Sequence, residues 1–555
     1  MGMARFSRVL SLAALAMSAA CSPTTAPVTA PAPPTTVVER PQPPPPAPAP
    51  VPARPSAPRP PEAPLPEVLE TRDVIVAARR DGDTPAGLAG RHLGDPDKAW
   101  MINEWASGLE PADSPYVTIP KHPWNPVGVY PGGYQVVPVL VYPALARERS
   151  GRIVMASKTF EEHMRYLQGE RYHTLALRDF VEFIDGRRQL PMKSILLTFD
   201  GAHNGFLRYA RPLLKDLGLR ATLFVATDAV GTGPNALSWN ELATLVEEGF
   251  DVQASSKTGA DLRRRAGESS AQYDGRMDLE LALPVIRFRQ HLARASETLA
   301  YPGGATDDEL FKQVRKHGYL AGFTLRRESN PAFVAPLSVG RIQVPADVTV
   351  TDLARSLTVF RTESLTSLLP EPATSEPAAG SGGSATGSLS PRRRLVVLHS
   401  RRAEELEGKR QLRQALVERT IAAAFDPRDA EAKTAVTRLE ARIGETSSRL
   451  EGEARRLLDQ KVPGAARQHF LAILALDPTN RGAFEALRER GPDINFIVHT
   501  VRAGDTLRSV AELYYGSPLR ADTIAAINGL ATDAALVAGR TLRIPELPGV
   551  PLVPR

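Results

Sequence analysis

The sequence predicts a multidomain α/β protein: an incomplete β/α barrel flanked by two small β-α-α-β modules, with an α-helical hairpin region before the second module. Three patterns carry that expectation. Apolar runs of strand length alternate with amphipathic helical stretches from Val136 to about Phe360, as in a parallel sheet wrapped by helices. One set of strand, turn and helix landmarks occurs twice, around Gly82 and around Gly504. Residues 403–490 place apolar side chains at i, i+3 and i+4 with no strand signal.

The chain opens with Arg5 and Arg8, an apolar run from Val9 to Ala16, and Ser18-Ala19-Ala20 before Cys21. Residues 1–21 thus read as a secretory signal. The pattern resembles a bacterial lipoprotein lipobox, which implies lipidation of Cys21 and anchoring in a lipid membrane. Ordinary signal cleavage beside an incidental cysteine fits the same residues. With Ser22 next, the resemblance implies an outer-membrane location facing the periplasm. Cys21 is the single cysteine, so no internal disulfide can form. Residues 22–66 are rich in Pro, Ala and Thr; they cannot bury a core and favour an extended polyproline II stalk.

The two small modules span residues 67–125 and 496–546. In the second, Val498 to Leu507 reads as strand, turn and helix start, with Asp505 or Thr506 as the helix cap. Ile524 to Asn528 forms a second helix and Leu542 to Pro545 a closing strand. In the first, Gly82-Asp83-Thr84 matches Gly504-Asp505-Thr506, and Gly94 follows Gly82 at the interval by which Gly516 follows Gly504. Ile102-Asn103 and Ile119-Pro120 complete the set. A lone Gly-Asp-Thr would be only a turn and a cap. The ordered landmarks resemble LysM domains, which implies binding of peptidoglycan or another N-acetylglucosamine-containing glycan. The residues so implied are Gly504, Asp505, Thr506 and Asn528, with Gly82, Asp83, Thr84 and Asn103 in the earlier copy.

The barrel is expected over 130–362. Its strand candidates are Val136–Val141, Ser194–Phe199, Ala221–Val225, Asp251–Ala254, Thr298–Tyr301 and Ala321–Leu325. Helical patterns at Phe160–Leu167, Gly205–Leu217, Trp239–Glu248, Leu281–Leu292 and Asp307–Lys316 lie between them. Asp200, Ser255 and Tyr301 fall where strands end, at the face where barrels carry their sites. Thr198-Phe199-Asp200, Ala221-Thr222-Leu223-Phe224-Val225 and Ala300-Tyr301-Pro302-Gly303-Gly304 resemble the polysaccharide deacetylases of the NodB-homology family. The resemblance implies Asp200 as general base for a metal-bound water and the Gly303 N–H as an oxyanion donor. It also exposes a gap. Gly201 stands where the family has a second, metal-binding Asp, and Ser255 and Gly259 stand where it has two histidines. A divalent cation needs about three protein ligands, so no metal cofactor is expected. His203 is within reach as a substitute ligand, but a lone histidine near a strand end is more often a surface or helix-start residue.

Residues 363–392 are Ser, Gly and Pro rich and read as a flexible linker. In the helical region 403–490, Phe425-Asp426-Pro427 and Leu476-Asp477-Pro478 each stop a helix. The region resembles degenerate tetratricopeptide repeats, which implies a surface for a protein partner; a plain helical spacer fits the same pattern.

A net charge of +6 with Lys and Arg interspersed among Asp and Glu argues against a nucleic-acid groove. The leading reading is a cell-envelope lipoprotein that binds peptidoglycan or related glycans and carries an inactive deacetylase-like domain. The alternative is an active polysaccharide N-deacetylase using a divalent metal such as zinc on carbohydrate C–N bonds.

Overall fold

The computed structural model describes residues 68–106, 116–151, 153–327, 330–371, 390–489, 496–515, 518–528, 530–531 and 533–545. The signal segment with Cys21, the Pro-rich stalk, most of the linker and Gly516 lie outside the described residues.

The first unit runs β1 (Val68–Glu70), β2 (Val74–Ala78), α1 (Pro85–Leu93), α2 (Ala99–Ala106) and β3 (Tyr116–Pro120), with its sheet in the antiparallel order β1-β2-β3. Local chemistry sets α1. Thr84 caps it by accepting the Gly87 N–H at 3.1 Å, Pro85 preorganises the first turn, and Gly94 ends it at φ 70°.

The central unit begins with a hairpin, β4 (Val129–Tyr130) and β5 (Gly133–Gln135). It continues through β6 (Val139–Tyr142), β7 (Ala144–Ala146), β8 (Val154–Ala156), α3 (Ser157–Gly169), β9 (His173–Thr174), α4 (Leu177–Ile184) and β10 (Ser194–Asp200). Next come α5 (Arg211–Asp216), β11 (Thr222–Val225), α6 (Trp239–Glu247), β12 (Asp251–Ala254), α7 (Ser270–Met277) and α8 (Leu283–Leu292). It closes with β13 (Thr298–Ala300), α9 (Asp308–Lys316), β14 (Ala321–Phe323), β15 (Ile342–Gln343), α10 (Val350–Ser356) and β16 (Phe360–Thr362).

Seven strands line up as β14-β13-β12-β11-β10-β6-β15, with β9 beside β10, and all these pairings are parallel. The two edges meet at a seam. Ahead of β15, Val339 O accepts the Thr324 N–H at 2.8 Å, Val339 N–H reaches Gly322 O at 2.9 Å, and Arg341 N–H reaches Arg326 O at 2.9 Å. The same segment then pairs with β6 on its other side. Strand side chains alternate between faces. Ile195, Leu197 and Phe199 of β10 pack under the helices, whereas Leu196 belongs to the barrel interior. Asp200, in register with Leu196, therefore emerges at the barrel mouth. The six expected strands are all present with ends shifted by up to three residues. Neither β15 nor α4 was expected; β15 is two residues long and carries no periodic signal.

Five helices follow: α11 (Pro391–Gly408), α12 (Leu412–Phe425), α13 (Ala430–Asp459), α14 (Pro463–Leu476) and α15 (Arg481–Arg488). The helical region thus starts at Pro391 and not at residue 403, which corrects the expected boundary. Ser390 caps α11, and its first turn is Arg392-Arg393-Arg394, so apolar periodicity begins only at Leu395. After α12 and α14 the same turn recurs: Asp426 accepts the Arg428 N–H at 3.2 Å and Asp477 the Thr479 N–H at 3.0 Å.

These helices do not stand apart from the barrel. Leu450, Phe470, Leu471 and Phe484 share one core with Val139, Leu196 and Phe323. The Phe484 ring lies 2.9 Å from where a Cβ on Gly186 would be, at φ 70°, so only glycine suits that approach. Arg481 and Arg488 donate to the carbonyls of Asp185 (2.8 Å) and Ile184 (2.6 Å), and Arg467 joins Glu363 (2.9 Å) and the Tyr134 hydroxyl (2.9 Å). Tyr134 and Asp185 precede β6 and β10, so the helices close the barrel end opposite Asp200. The first unit docks on them as well: Val74, Val76 and Trp105 pack with Val396, Val417, Ile421 and Phe425.

The C-terminal unit runs β17 (Phe496–Thr500), α16 (Leu507–Tyr515), α17 (Ala521–Ile527) and β18 (Thr541–Pro545), with β17 antiparallel to β18. Its element order repeats that of β2-α1-α2-β3. It has a core of its own, including Val501, Val510, Ile524 and Leu542. Among the described residues, no helix is long and apolar enough to cross a membrane.

Glu104 joins the first unit to the barrel, accepting the Met192 N–H at 2.7 Å. Burial pushes its carboxyl up to about 7, with the Met192 N–H and the Gln189 side chain opposing. A raised carboxyl binds protons more tightly when folded, so its contribution is complete below pH 4.5 and is lost as pH rises through 7. Stability should fall by about 2–3 kcal/mol over that window. In Glu104→Gln, whose amide oxygen still accepts the Met192 N–H, that part of the slope should vanish. Urea unfolding of both proteins at pH 5 and pH 8 checks this.

Candidate functional site

At the barrel mouth, Asp200 ends β10 and is held in place from two sides. Gly201 N–H donates to Phe224 O at 2.7 Å, and Thr198 Oγ1 donates to Leu140 O at 2.8 Å, locking β10 to both neighbours. The Asp200 carboxylate then receives both arms of Arg341, at 2.6 and 2.9 Å. Arg341 is fully buried, donates its Nε–H to Thr324 O at 3.0 Å and lies over the Phe224 ring at 5.6 Å. The Asp200 side chain is 40% exposed. Its first task is therefore to neutralise a buried cation, and its outer lone pairs face the mouth. Sequence reading missed Arg341: it lies 141 residues beyond Asp200, in the seam before an unrecognised two-residue strand.

The positions at issue for a metal are equally well defined. Gly201 has φ 93°, and a Cβ there would fall 2.7 Å from Nε2 and 2.9 Å from Cδ2 of His203. The exposed imidazole thus fills the space that a side chain at 201 would enter. Ser255 Oγ donates to Ala300 O at 2.9 Å. Gly259 has φ 77°. Between them Ser256, fully buried at φ 71°, accepts the Gly259 N–H on its Oγ at 3.0 Å. Buried Glu280 receives the N–H groups of Lys257 (3.2 Å) and Thr258 (3.0 Å) and the Thr258 hydroxyl (2.7 Å). The loop is held firmly, yet two glycines and a committed hydroxyl are no donor set for a divalent cation. Among the described residues no three His, Cys, Asp or Glu side chains converge on one point.

Gly303 sits at φ 62° with open space where a Cβ would be, so the mouth has no aromatic wall there. The turn's own bonds run from Gly304 N–H to Tyr301 O and from Ala305 N–H to Pro302 O, and do not use the Gly303 N–H. Tyr301 is buried with its hydroxyl donated to Leu337 O at 2.9 Å; burial raises its pKa. It supports the turn and does not line the opening.

In the C-terminal unit, Gly504 makes the turn at φ 90°, Asp505 accepts the Arg502 N–H at 2.7 Å, and Thr506 caps α16 by accepting the Ser509 N–H at 3.1 Å. The first unit repeats this: Gly82 at φ 81°, Arg80 N–H to Asp83 at 2.9 Å, and the Thr84 cap. Asn528 clamps α17 to β18, donating to Arg543 O (2.7 Å) and accepting the Arg543 N–H (2.8 Å). Asn103 is exposed. The carboxyls of Asp83 and Asp505 lie below the usual carboxylate range, Asp83 chiefly through Arg91 and Asp505 chiefly through the Arg502 N–H.

The profile of the polysaccharide deacetylase family matches residues 187–322, and that of the LysM domain matches residues 499–545. The chain carries a polysaccharide deacetylase domain and a LysM domain. The deacetylase domain brings likeness to YxkH of Bacillus subtilis, described as a polysaccharide deacetylase, at 25% identity over 34% of this chain and 64% of that protein. The chain thus spans less than two thirds of that relative. The poly-β-1,6-N-acetyl-D-glucosamine N-deacetylase of Staphylococcus epidermidis is 24% identical over 35% of this chain and 68% of its own length. Among solved structures, the Streptococcus pyogenes deacetylase PplD, in complex with acetate, aligns at TM-score 0.37 and 20% identity, covering 40% of this chain and 98% of that one. IcaB from Ammonifex degensii aligns at TM-score 0.37 and 23% identity, with the same coverages.

Removing the charge from Asp200 of the deacetylase domain strands the buried Arg341 guanidinium. Asp200→Asn should destabilise the domain by about 2 kcal/mol, below the 3–5 typical of a fully buried pair because the carboxylate is partly solvated. Thermal unfolding checks it; a change under about 0.5 kcal/mol would show that the pair is not structural.

Proposed function

We propose that this chain is a cell-envelope lipoprotein that holds peptidoglycan or a related N-acetylglucosamine polymer and carries its deacetylase domain as a non-catalytic unit. The observation that carries the reading is the combination at the barrel mouth. Gly201, Ser255 and Gly259 occupy the positions where the family supplies metal ligands, while the loops around them remain tightly held. Deacetylation in this family uses a cation to activate water and polarise the acetyl carbonyl. A general base by itself contributes only about 10²–10⁴-fold. Asp200, occupied by Arg341, is a weak replacement for both functions. Asp200 and His203 at the barrel mouth suit hydrogen bonds to sugar hydroxyls better than acetyl transfer to water.

The LysM domain supports glycan capture, and the first unit, with the same element order and the same turn bonds, supports a second LysM-like module. Two weak sites on one polymer would gain avidity without new contacts. The anchor is proposed from Ser18-Ala19-Ala20-Cys21 and the proline-rich stalk. The helical region is proposed as a tetratricopeptide-like scaffold, with any protein partner limited to the surface that the barrel does not cover. One observation favours the second reading, an active N-deacetylase acting on a poly-N-acetylglucosamine: the His203 imidazole stands beside Gly201, next to the retained Asp200.

One set of assays separates the two. Purified full-length protein should carry no stoichiometric zinc, release no acetate from chitooligosaccharide or peptidoglycan, and sediment with insoluble peptidoglycan; loss of residues 491–555 should abolish most of the sedimentation. Bound zinc lost in His203→Ala, together with acetate release, would establish the enzyme reading instead. For the anchor, Cys21→Ala should move the protein from the membrane to the soluble fraction. Unchanged fractionation with membranes would refute it.

A further inference from the structure

The two turns that share one sequence pattern are held by different chemistry. In the C-terminal unit, His499 of β17 is buried beneath the turn. Its Nε2 lies 2.8 Å from Asp505 Oδ2 and its Nδ1 lies 3.1 Å from the Tyr514 hydroxyl of α16. Asp505 Oδ2 already accepts the Arg502 N–H, so it is an acceptor here and Nε2–H donates to it. The imidazole thereby ties strand, turn and helix together at one point, with its ring edge-on to Tyr514 at 5.5 Å. Arg502, whose N–H shares Asp505 Oδ2, is the cation of that turn.

Among the described residues of the first unit, the strand position beneath the turn holds no imidazole. The β17–β18 and β2–β3 units align through Gly504 and Gly82, which sets Ala77 against His499 and His92 against Tyr514. Ala77 is buried and offers no donor. Asp83 is held instead from outside by Arg91, at 2.7 Å, whose side chain is 40% exposed. The tie to Asp505 comes from a buried ring fixed at both nitrogens, whereas the tie to Asp83 comes from a long, partly exposed side chain that costs more entropy to hold; preorganisation is what lets a small contact surface bind.

We propose that His499 is the positioning residue for glycan capture in the C-terminal module: by holding Asp505 from beneath, it fixes the Arg502–Thr506 turn against which an N-acetylglucosamine polymer lies. The inference rests on the glycan-binding reading of this module. It deepens that reading by naming the side chain that holds the C-terminal module's turn in place.

The test uses the full chain, with insoluble peptidoglycan and soluble chitooligosaccharide as probes and circular dichroism as a folding control. His499→Leu, which keeps the volume and deletes both hydrogen bonds, should weaken binding about tenfold or more. His499→Gln, whose amide can still donate to Asp505, should stay within about threefold of the parent. Binding by His499→Leu within twofold of the parent overturns the proposal. So does an equal loss in both variants, which would mean that the ring is needed only for packing. Should His499→Leu fail to fold, His499→Met takes its place, because its unbranched side chain fills the same space with no donor for Asp505. A tenfold loss supports the proposal and a loss under twofold overturns it. Failure of the parent protein to bind either probe is a different result, and removes the glycan-binding reading itself.

Discussion

Arg341 buries a full positive charge at the barrel seam, and the geometry of the mouth follows from the need to satisfy it. A guanidinium out of water is tolerated only with a close counter-charge and with its other donors engaged. Asp200 supplies the first and Thr324 O part of the second. The same segment supplies the backbone bonds that close the barrel between β14 and β6. The seam and the charged pair are therefore one feature. A carboxylate at a barrel mouth would ordinarily be read as chemistry waiting for substrate. Here it is already committed, and the positions that would have made it part of a metal site contain glycine and a hydrogen-bonded serine.

Loops around that mouth keep their shape without their ligands. Ser256 is buried in the left-handed region, an arrangement that persists only where surrounding bonds over-determine it. Glu280 spends its carboxylate on three donors of the same loop. The loop is strongly supported although Ser255 and Gly259 present no metal donor. His203, filling the space beside Gly201, adds an imidazole edge to the opening.

At the other end of the barrel the helices are part of the core that fills the barrel interior. Phe484 against Gly186 and Arg467 between Glu363 and Tyr134 join helix to barrel by contacts that no isolated spacer would need. Apolar faces that look available on the helices, read as sequence, are consumed internally, by the barrel on one side and by Val74 and Trp105 of the first unit on another. The C-terminal unit buries its apolar residues within itself.

Much of this was legible from short-range pattern. The alternation from Val136 onward, the repeated Gly-Asp-Thr turns and the Asp-Pro stops depend on neighbours within a few residues, so periodicity and turn chemistry report them faithfully. The substituted positions Gly201, Ser255 and Gly259 were likewise visible, because missing donors are a property of residue type. What the tertiary structure alone decided was everything that joins distant residues. Nothing local marks Arg341 as the partner of Asp200, His203 as the occupant of the space beside Gly201, or His499 as the support of Asp505. Nor does amphipathic spacing say whether a helix face meets a barrel, a second module or solvent. A sequence determines which side chains can make a given bond; which of them meet is decided by packing, since burial and charge pairing are satisfied by the whole chain at once.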